Sequence, residues 1–294
     1  MRSVTTEFYI PTKEPGIELH ARLVQPKVDE PGEGSSDNKD AAQHSKRGIF
    51  VVCHGLLDTK DTVLFRSVQE HLLARQIGSV AFDFRGNGRS TGATGYGNYQ
   101  KEADDVACVV EHMRKTHQVL GIFGHSKGAS SVLLYAANHA GSPPLVIAVS
   151  ARFWMARDTS NRWKPHHLAA LEADGRFLWR TFSGPSEKMV REYWITQDDF
   201  DERNRTDMDD AVRRLPLHRA WVLNVAGSAD RVVPVEDVYA YDRTMRVGQA
   251  QSDSRVETHV VQGGTHFWAS PGERTQLLGI IDKWLDRVLP LAKL

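Results

Sequence analysis

From Gly48 onward, short apolar runs alternate with segments whose apolar residues recur at helical spacing. The runs 48–53, 78–83, 120–124, 145–150, 221–226 and 255–261 have strand length and little internal polarity, as strands covered on both faces do. Upstream, 5–10 and 17–24 alternate polar and apolar residues, which predicts a half-exposed antiparallel hairpin. Between the later strands, Val106, Val109, Val110 and Met113 follow the i, i+3, i+4, i+7 rule, as do Leu277, Ile281, Trp284 and Leu285. Strands alternating with amphipathic helices predict an α/β fold with a mostly parallel, doubly wound sheet. No internal repeat of solenoid or propeller period is present.

One stretch, 151–214, breaks the alternation. It follows a strand directly and holds Trp154, Trp163, Trp179 and Trp194, with Phe153, Phe177, Phe182, Tyr193 and Phe200. We read it as a helical cap inserted before the seventh strand, over the C-terminal edge of the sheet. Most of these aromatics are expected to fasten the cap to the core, and a minority to line a pocket. The core is then 1–150 and 215–294. Residues 26–47, rich in Gly, Ser, Asp and Lys with few apolar anchors, read as a surface loop within it. A two-domain division at this loop fails because the first 25 residues are too few to bury a core.

Candidate chemistry centres on Gly124-His125-Ser126-Lys127-Gly128, a G-x-S-x-G pattern between an apolar strand and a helix over 127–138. The glycines permit a cramped strand-turn-helix geometry that projects Ser126 Oγ at the sheet edge. The plainer alternative is a serine that only caps the helix. A serine hydroxyl needs an adjacent base to become a nucleophile. Downstream, Gly227-Ser228-Ala229-Asp230 places Asp230 in a loop after a strand, and Gly263-Gly264-Thr265-His266 does the same for His266. Asp230 could instead cap the following helix, and His266 could be a surface histidine. All three positions nevertheless fall at the same edge of the sheet. Ser126 would attack a carbonyl, His266 move the proton, and Asp230 orient His266.

His54-Gly55, the stretch Asp83-Phe84-Arg85-Gly86-Asn87-Gly88-Arg89-Ser90, the Ser126 turn, Gly227-Ser228-Ala229-Asp230 and Gly264-Thr265-His266 together resemble the α/β-hydrolase superfamily, over most of the chain from Gly48 to Trp284. The order nucleophile, acid, histidine is that of this fold. Within it the chain is most similar to the serine-aminopeptidase-like branch of esterases and acylglycerol lipases. The resemblance implies an oxyanion hole from the backbone N–H groups of Leu56 and Lys127, with His54 holding its turn by hydrogen bonds. It also implies a metal-free, cofactor-free serine hydrolase acting on a small-molecule ester or thioester with an apolar acyl or aryl group. Phe153, Trp154, Trp179 and Phe267 are the expected substrate contacts. Lys127 stands where many relatives carry a neutral side chain, and its charge opposes the helix dipole, so a carboxylate partner is expected. The same triad would serve an acyltransferase, and a hydrolase fold can also become a non-catalytic small-molecule receptor.

Other chemistries are set aside on sequence. The 37 basic and 37 acidic residues cancel, which gives no broad positive field for nucleic acid. Cys53 and Cys108 form no CxxC pair, and no H-E-x-x-H run exists. Gly86-Asn87-Gly88 lacks the third glycine at dinucleotide spacing. The region 151–214 is itself neutral, 12 basic residues (ten Arg, two Lys) against 12 acidic (eight Asp, four Glu), so composition offers no basic surface for coenzyme phosphates. No apolar run approaches the roughly 20 residues of a membrane helix, and no secretory leader is expected, so a soluble, non-secreted protein is the expectation. The terminal Ala292-Lys293-Leu294 resembles a peroxisomal address read by an import receptor. Together with the hydrolase motifs it is similar to fungal peroxisomal hydrolases of polyketide-like toxin pathways. The expected location is the peroxisomal matrix, or the cytoplasm if the tail is inert.

Overall fold

The computed structural model describes residues 2–27, 48–157, 162–183, 190–247 and 255–292. The chain opens with an antiparallel hairpin, β1 (Ser3–Pro11) and β2 (Glu18–Pro26). There follow β3 (Gly48–Cys53), α1 (Val63–Ala74), β4 (Gly78–Phe82), α2 (Tyr99–Met113), β5 (Gln118–His125), α3 (Lys127–Asn138) and β6 (Leu145–Val149). After an insertion come β9 (Trp221–Gly227), α7 (Glu236–Arg246), β10 (Val256–Val261) and α8 (Pro271–Val288). Eight strands form one sheet in the order β1-β2-β4-β3-β5-β6-β9-β10. β2 is antiparallel to both neighbours, and β4, β3, β5, β6, β9 and β10 run parallel to one another. This is the α/β sheet that the alternating pattern predicted.

The apolar runs of the inner strands exist because both faces are covered. On β3, Ile49, Val51 and Cys53 join one hydrophobic cluster with α2 and α3, while Phe50 and Val52 join a second with α1 and α8. β1 lies at the sheet edge and alternates instead, with Ile10 buried and Tyr9 exposed. From β3 the chain moves outward to β4 in one direction, then returns to β5 on the other side. The C-terminal ends of β3 and β5 therefore flank a topological switch point, where open α/β sheets form their clefts.

The insertion between β6 and β9 is mixed, where a wholly helical cap was expected. It contains α4 (Pro165–Asp174), the antiparallel pair β7 (Arg176–Ser183) and β8 (Val190–Thr196), α5 (Gln197–Arg205) and α6 (Met208–Arg213). Trp163, Phe177, Tyr193 and Ile195 pack with Tyr96 of the core into a separate hydrophobic cluster, so most of its aromatics do fasten it down. Residues 28–47 of the expected loop lie outside the described residues. No helix among the described residues is long and apolar enough to cross a membrane.

Candidate active site

β5 runs into α3 through Ser126, which adopts φ 56° and ψ −120°. Such a backbone is strained for any residue with a Cβ, and it turns the side chain out of the sheet. The surroundings enforce it. Ser126 N–H donates to Val149 O at 2.8 Å, and the Ser126 carbonyl accepts from Ala129 and Ser130 N–H. A Cβ on Gly124 would lie 2.4 Å from Gly128 O, and one on Gly128 would lie 2.2 Å from His54 O. The start of α3 thus rests directly on the turn after β3, and Gly55 abuts the Ser126 Cβ.

His266, in the loop after β10, reaches this turn. Its Nε2 lies 2.9 Å from Ser126 Oγ, and its Nδ1 lies 2.7 Å from Asp230 Oδ2 in the loop after β9. Asp230 Oδ1 accepts from the N–H groups of Val232 and Val233, each at 2.8 Å. Burial pushes the Asp230 carboxyl up, but the His266 hydrogen bond and charge, with these two amides, hold it below the ordinary carboxylate value. An ionised Asp230 makes Nδ1 the protonated nitrogen of His266, leaving Nε2 to accept from the Ser126 hydroxyl. The three residues singled out in the sequence therefore form one hydrogen-bonded chain from Oγ to a buried carboxylate.

Two further histidines frame it. His54 Nε2 accepts from Phe84 N–H at 2.9 Å, so its Nδ1–H donates to Gly55 O at 2.7 Å, and the side chain pins the turn. His125 is fully buried, and burial, reinforced by His266, pushes its pKa down to about 3. It stays neutral and donates from Nε2 to the His266 carbonyl at 2.8 Å, locking that loop. The variable position of the G-x-S-x-G pattern thus holds a positioning residue that sequence reading passed over. Only its place beside the serine hinted at it.

Leu56 and Lys127 line the same cavity as Ser126. The Leu56 N–H has no acceptor among the described residues, and the Lys127 N–H belongs to the first helical turn, which leaves its amides without intrahelical partners. Both donors are free to meet a developing oxyanion. The Lys127 ammonium is engaged elsewhere. It meets Glu102 at 2.7 Å and Gly95 O at 2.6 Å, contacts Asn98 Oδ1, and is almost wholly buried. The Asp83–Ser90 stretch is structural as well. Asp83 accepts from Lys60 N–H, Lys60 Nζ and Arg89 N–H, and Gly88 wraps so closely that a Cβ would fall 2.2 Å from its carboxylate.

The cavity beside Ser126 encloses about 550 Å³, within the usual range for a small-molecule site. Trp179 and Phe267 line it as expected. Phe153 and Trp154 do not. They line a separate cavity with Met155, Met208 and Glu236, because the chain leaving β6 carries them behind Arg152 towards α7. No cluster of three His, Cys, Asp or Glu side chains suited to a metal occurs among the described residues.

Residues 44–187 match the family model of serine aminopeptidase, S33. No curated protein matches the chain by sequence. Among solved structures, Est1E from Butyrivibrio proteoclasticus with bound ferulic acid is 19% identical, with 96% of this chain and 99% of that chain covered and a TM-score of 0.69. The Pyrococcus furiosus esterase Pf2001 is 16% identical over 97% and 92%, with a TM-score of 0.63. XC6422 from Xanthomonas campestris, described as a serine hydrolase without a lid, is 18% identical over 96% and 94%, with a TM-score of 0.58. Sheet order, strained serine turn and structural likeness agree, and the chain has the α/β-hydrolase fold.

Proposed function

We propose that the chain is a serine hydrolase that cleaves a carboxylic ester or thioester through an acyl-enzyme on Ser126. The observation that carries this reading is the unbroken chain Ser126 Oγ, His266 Nε2, His266 Nδ1, Asp230 Oδ2, with contacts of 2.9 and 2.7 Å, at the wall of a ligand-sized cavity. Ser126 Oγ bonds to the substrate carbonyl carbon while its proton passes to His266 Nε2. The carbonyl π pair moves onto oxygen, where the Leu56 and Lys127 amides donate to it. The tetrahedral species collapses, the bond to the alkoxide or thiolate breaks, and the leaving group takes the proton from His266. Water then repeats the sequence, giving up a proton to His266, and releases the acid and free Ser126. Asp230 keeps its negative charge throughout and offsets the imidazolium.

Ser126→Ala should lower kcat on p-nitrophenyl esters by a factor on the order of 10^4 or more and abolish labelling by a fluorophosphonate probe. Wild-type turnover or labelling in that variant would remove Ser126 from the role.

A further inference from the structure

The wall of the Ser126 cavity carries far more positive charge than it neutralises. Arg152, Arg162, Arg180 and Arg203 all line it, against one lining carboxylate among the described residues, Asp58. Burial pushes the Asp58 carboxyl above its ordinary value, and among the described residues it accepts from Thr59 and Thr62 and pairs with none of these arginines. Arg152 is partly satisfied, with Nε 3.8 Å from Asp237 and Nη2 donating to Val232 O. The other three guanidinium groups meet no carboxylate and no hydrogen-bond acceptor among the described residues. Aromatic faces hold them instead: Arg162 and Arg203 lie over Tyr96 at 5.9 and 5.2 Å, and Arg180 over Trp179 at 4.8 Å. Ring stacking positions a guanidinium without cancelling its charge or satisfying its N–H groups.

Two buried donors sharpen the point. Arg203 is 5% exposed, and its Nε has no partner among the described residues. Tyr96, 1% exposed, has a hydroxyl with no partner among the described residues. Buried donors without an acceptor are costly, and both of these sit beside the stacked arginines of the cavity wall. Burial pushes the Arg152 guanidinium below the usual arginine range, with Arg203 and Arg162 pushing the same way against the pull of Asp237. The arrangement of guanidinium groups is thus repulsive, and an oxyanion would relieve it. A substrate with a free ammonium group would be repelled by the same wall.

Resting on the serine-hydrolase reading above, we propose that this site selects anionic substrates: esters or thioesters whose acyl or leaving part carries a carboxylate or phosphate held by Arg162, Arg180 and Arg203. The test compares charge-matched pairs. The mono-p-nitrophenyl ester of adipic acid is set against its methyl-capped neutral counterpart, and butyryl-coenzyme A against butyryl-N-acetylcysteamine. In wild type, kcat/KM for the anionic member of at least one pair should exceed its neutral partner by about tenfold or more, chiefly through KM. The first pair reports a carboxylate in the acyl part, the second a phosphate in the leaving group. Arg162→Gln and Arg180→Gln, at less buried positions, should each cut that selectivity ratio by about tenfold, as should Arg203→Gln, with Arg203→Lys restoring part of it. Equal rates within both pairs, or a ratio untouched by all three Gln variants, would overturn the proposal while Ser126-dependent turnover left the hydrolase reading standing. Should no substrate turn over, the hydrolase reading falls, and calorimetric binding of adipate and coenzyme A decides the arginine site alone. Binding lost in the Gln variants supports it, and no binding of either anion to wild type overturns it.

Discussion

Ser126 holds a left-handed backbone because its neighbours leave it no other path, and glycine is what lets those neighbours come so close. At 2.2 Å from a Gly128 Cβ, the His54 carbonyl belongs to a turn pinned by its own imidazole, so it has little room to retreat. Gly128→Ala should destabilise the fold by about 1–3 kcal/mol. It should also lower kcat on a neutral ester by about a hundredfold, since a shift of ~1 Å at the nucleophile is enough. Gly279, inside α8 with open space around its Cα, is the internal comparison. Gly279→Ala should raise stability by up to about 1 kcal/mol, read by thermal melts of the three proteins. At this scale the convergence of Ser126, Asp230 and His266 was readable in advance, because glycine-flanked positions after strands signal loops at one sheet edge. The arginine wall was not readable. Arg152 follows β6, Arg162 precedes α4, Arg180 sits on β7 and Arg203 on α5, and nothing in their spacing announces that they converge.

At the scale of elements, the His266 loop is clasped by the helix that follows it. Glu273 Oε1 accepts from the Thr265 amide and hydroxyl, both at 2.6 Å, while Oε2 accepts from Ser270 N–H at 2.9 Å. The Thr265 hydroxyl bond, with those of the amides, outweighs burial and brings the Glu273 carboxyl from 4.5 down to about 2. A carboxyl lowered in the folded state stabilises above its unfolded pKa, and that contribution fades as pH falls through the folded one. The melting temperature of wild type should therefore exceed that of Glu273→Gln near pH 7, with the gap closing between pH 4.5 and pH 2. A gap independent of pH would show that the carboxylate charge is not what holds the clasp. Element prediction was strongest where periodicity acts alone: the spaced residues Val106, Val109, Val110 and Met113 lie buried on α2, and Leu277, Ile281, Trp284 and Leu285 on α8. It was weakest in the insertion, where β7 and β8 pair only with each other. Phe177 and Trp179 alternate with Leu178 and Arg180 there. This is a strand pattern, masked in sequence by the density of aromatic residues over the whole region.

For the whole molecule, the zero net charge and the neutral insertion gave no hint of an anion site. The reason is segregation. Asp199 and Asp207 are spent on helix caps and Asp209 and Asp210 on pairs with Arg213 and Arg214, whereas Arg162, Arg180 and Arg203 at the cavity are left to aromatic rings. Cellular location is decided at this scale too. Lys293 and Leu294 lie outside the described residues, and a peroxisomal destination remains our proposal from Ala292-Lys293-Leu294. A fluorescent protein carrying the last residues of the chain should enter peroxisomes and become diffuse when Leu294 is removed. Diffuse signal from both would dismiss the address.

In the function we propose, bond cleavage and charge selection draw on different stretches of polypeptide. Ser126, Asp230 and His266 hang from the ends of sheet strands, whereas Arg162, Arg180 and Arg203 all come from the segment spliced between β6 and β9. Replacement, lengthening or recolouring of that segment can redirect the protein to another class of acid derivative while the reacting groups stay where they are. Diversification in such an architecture is cheap in structural terms, because the scaffold that must stay rigid and the surface free to vary are encoded apart.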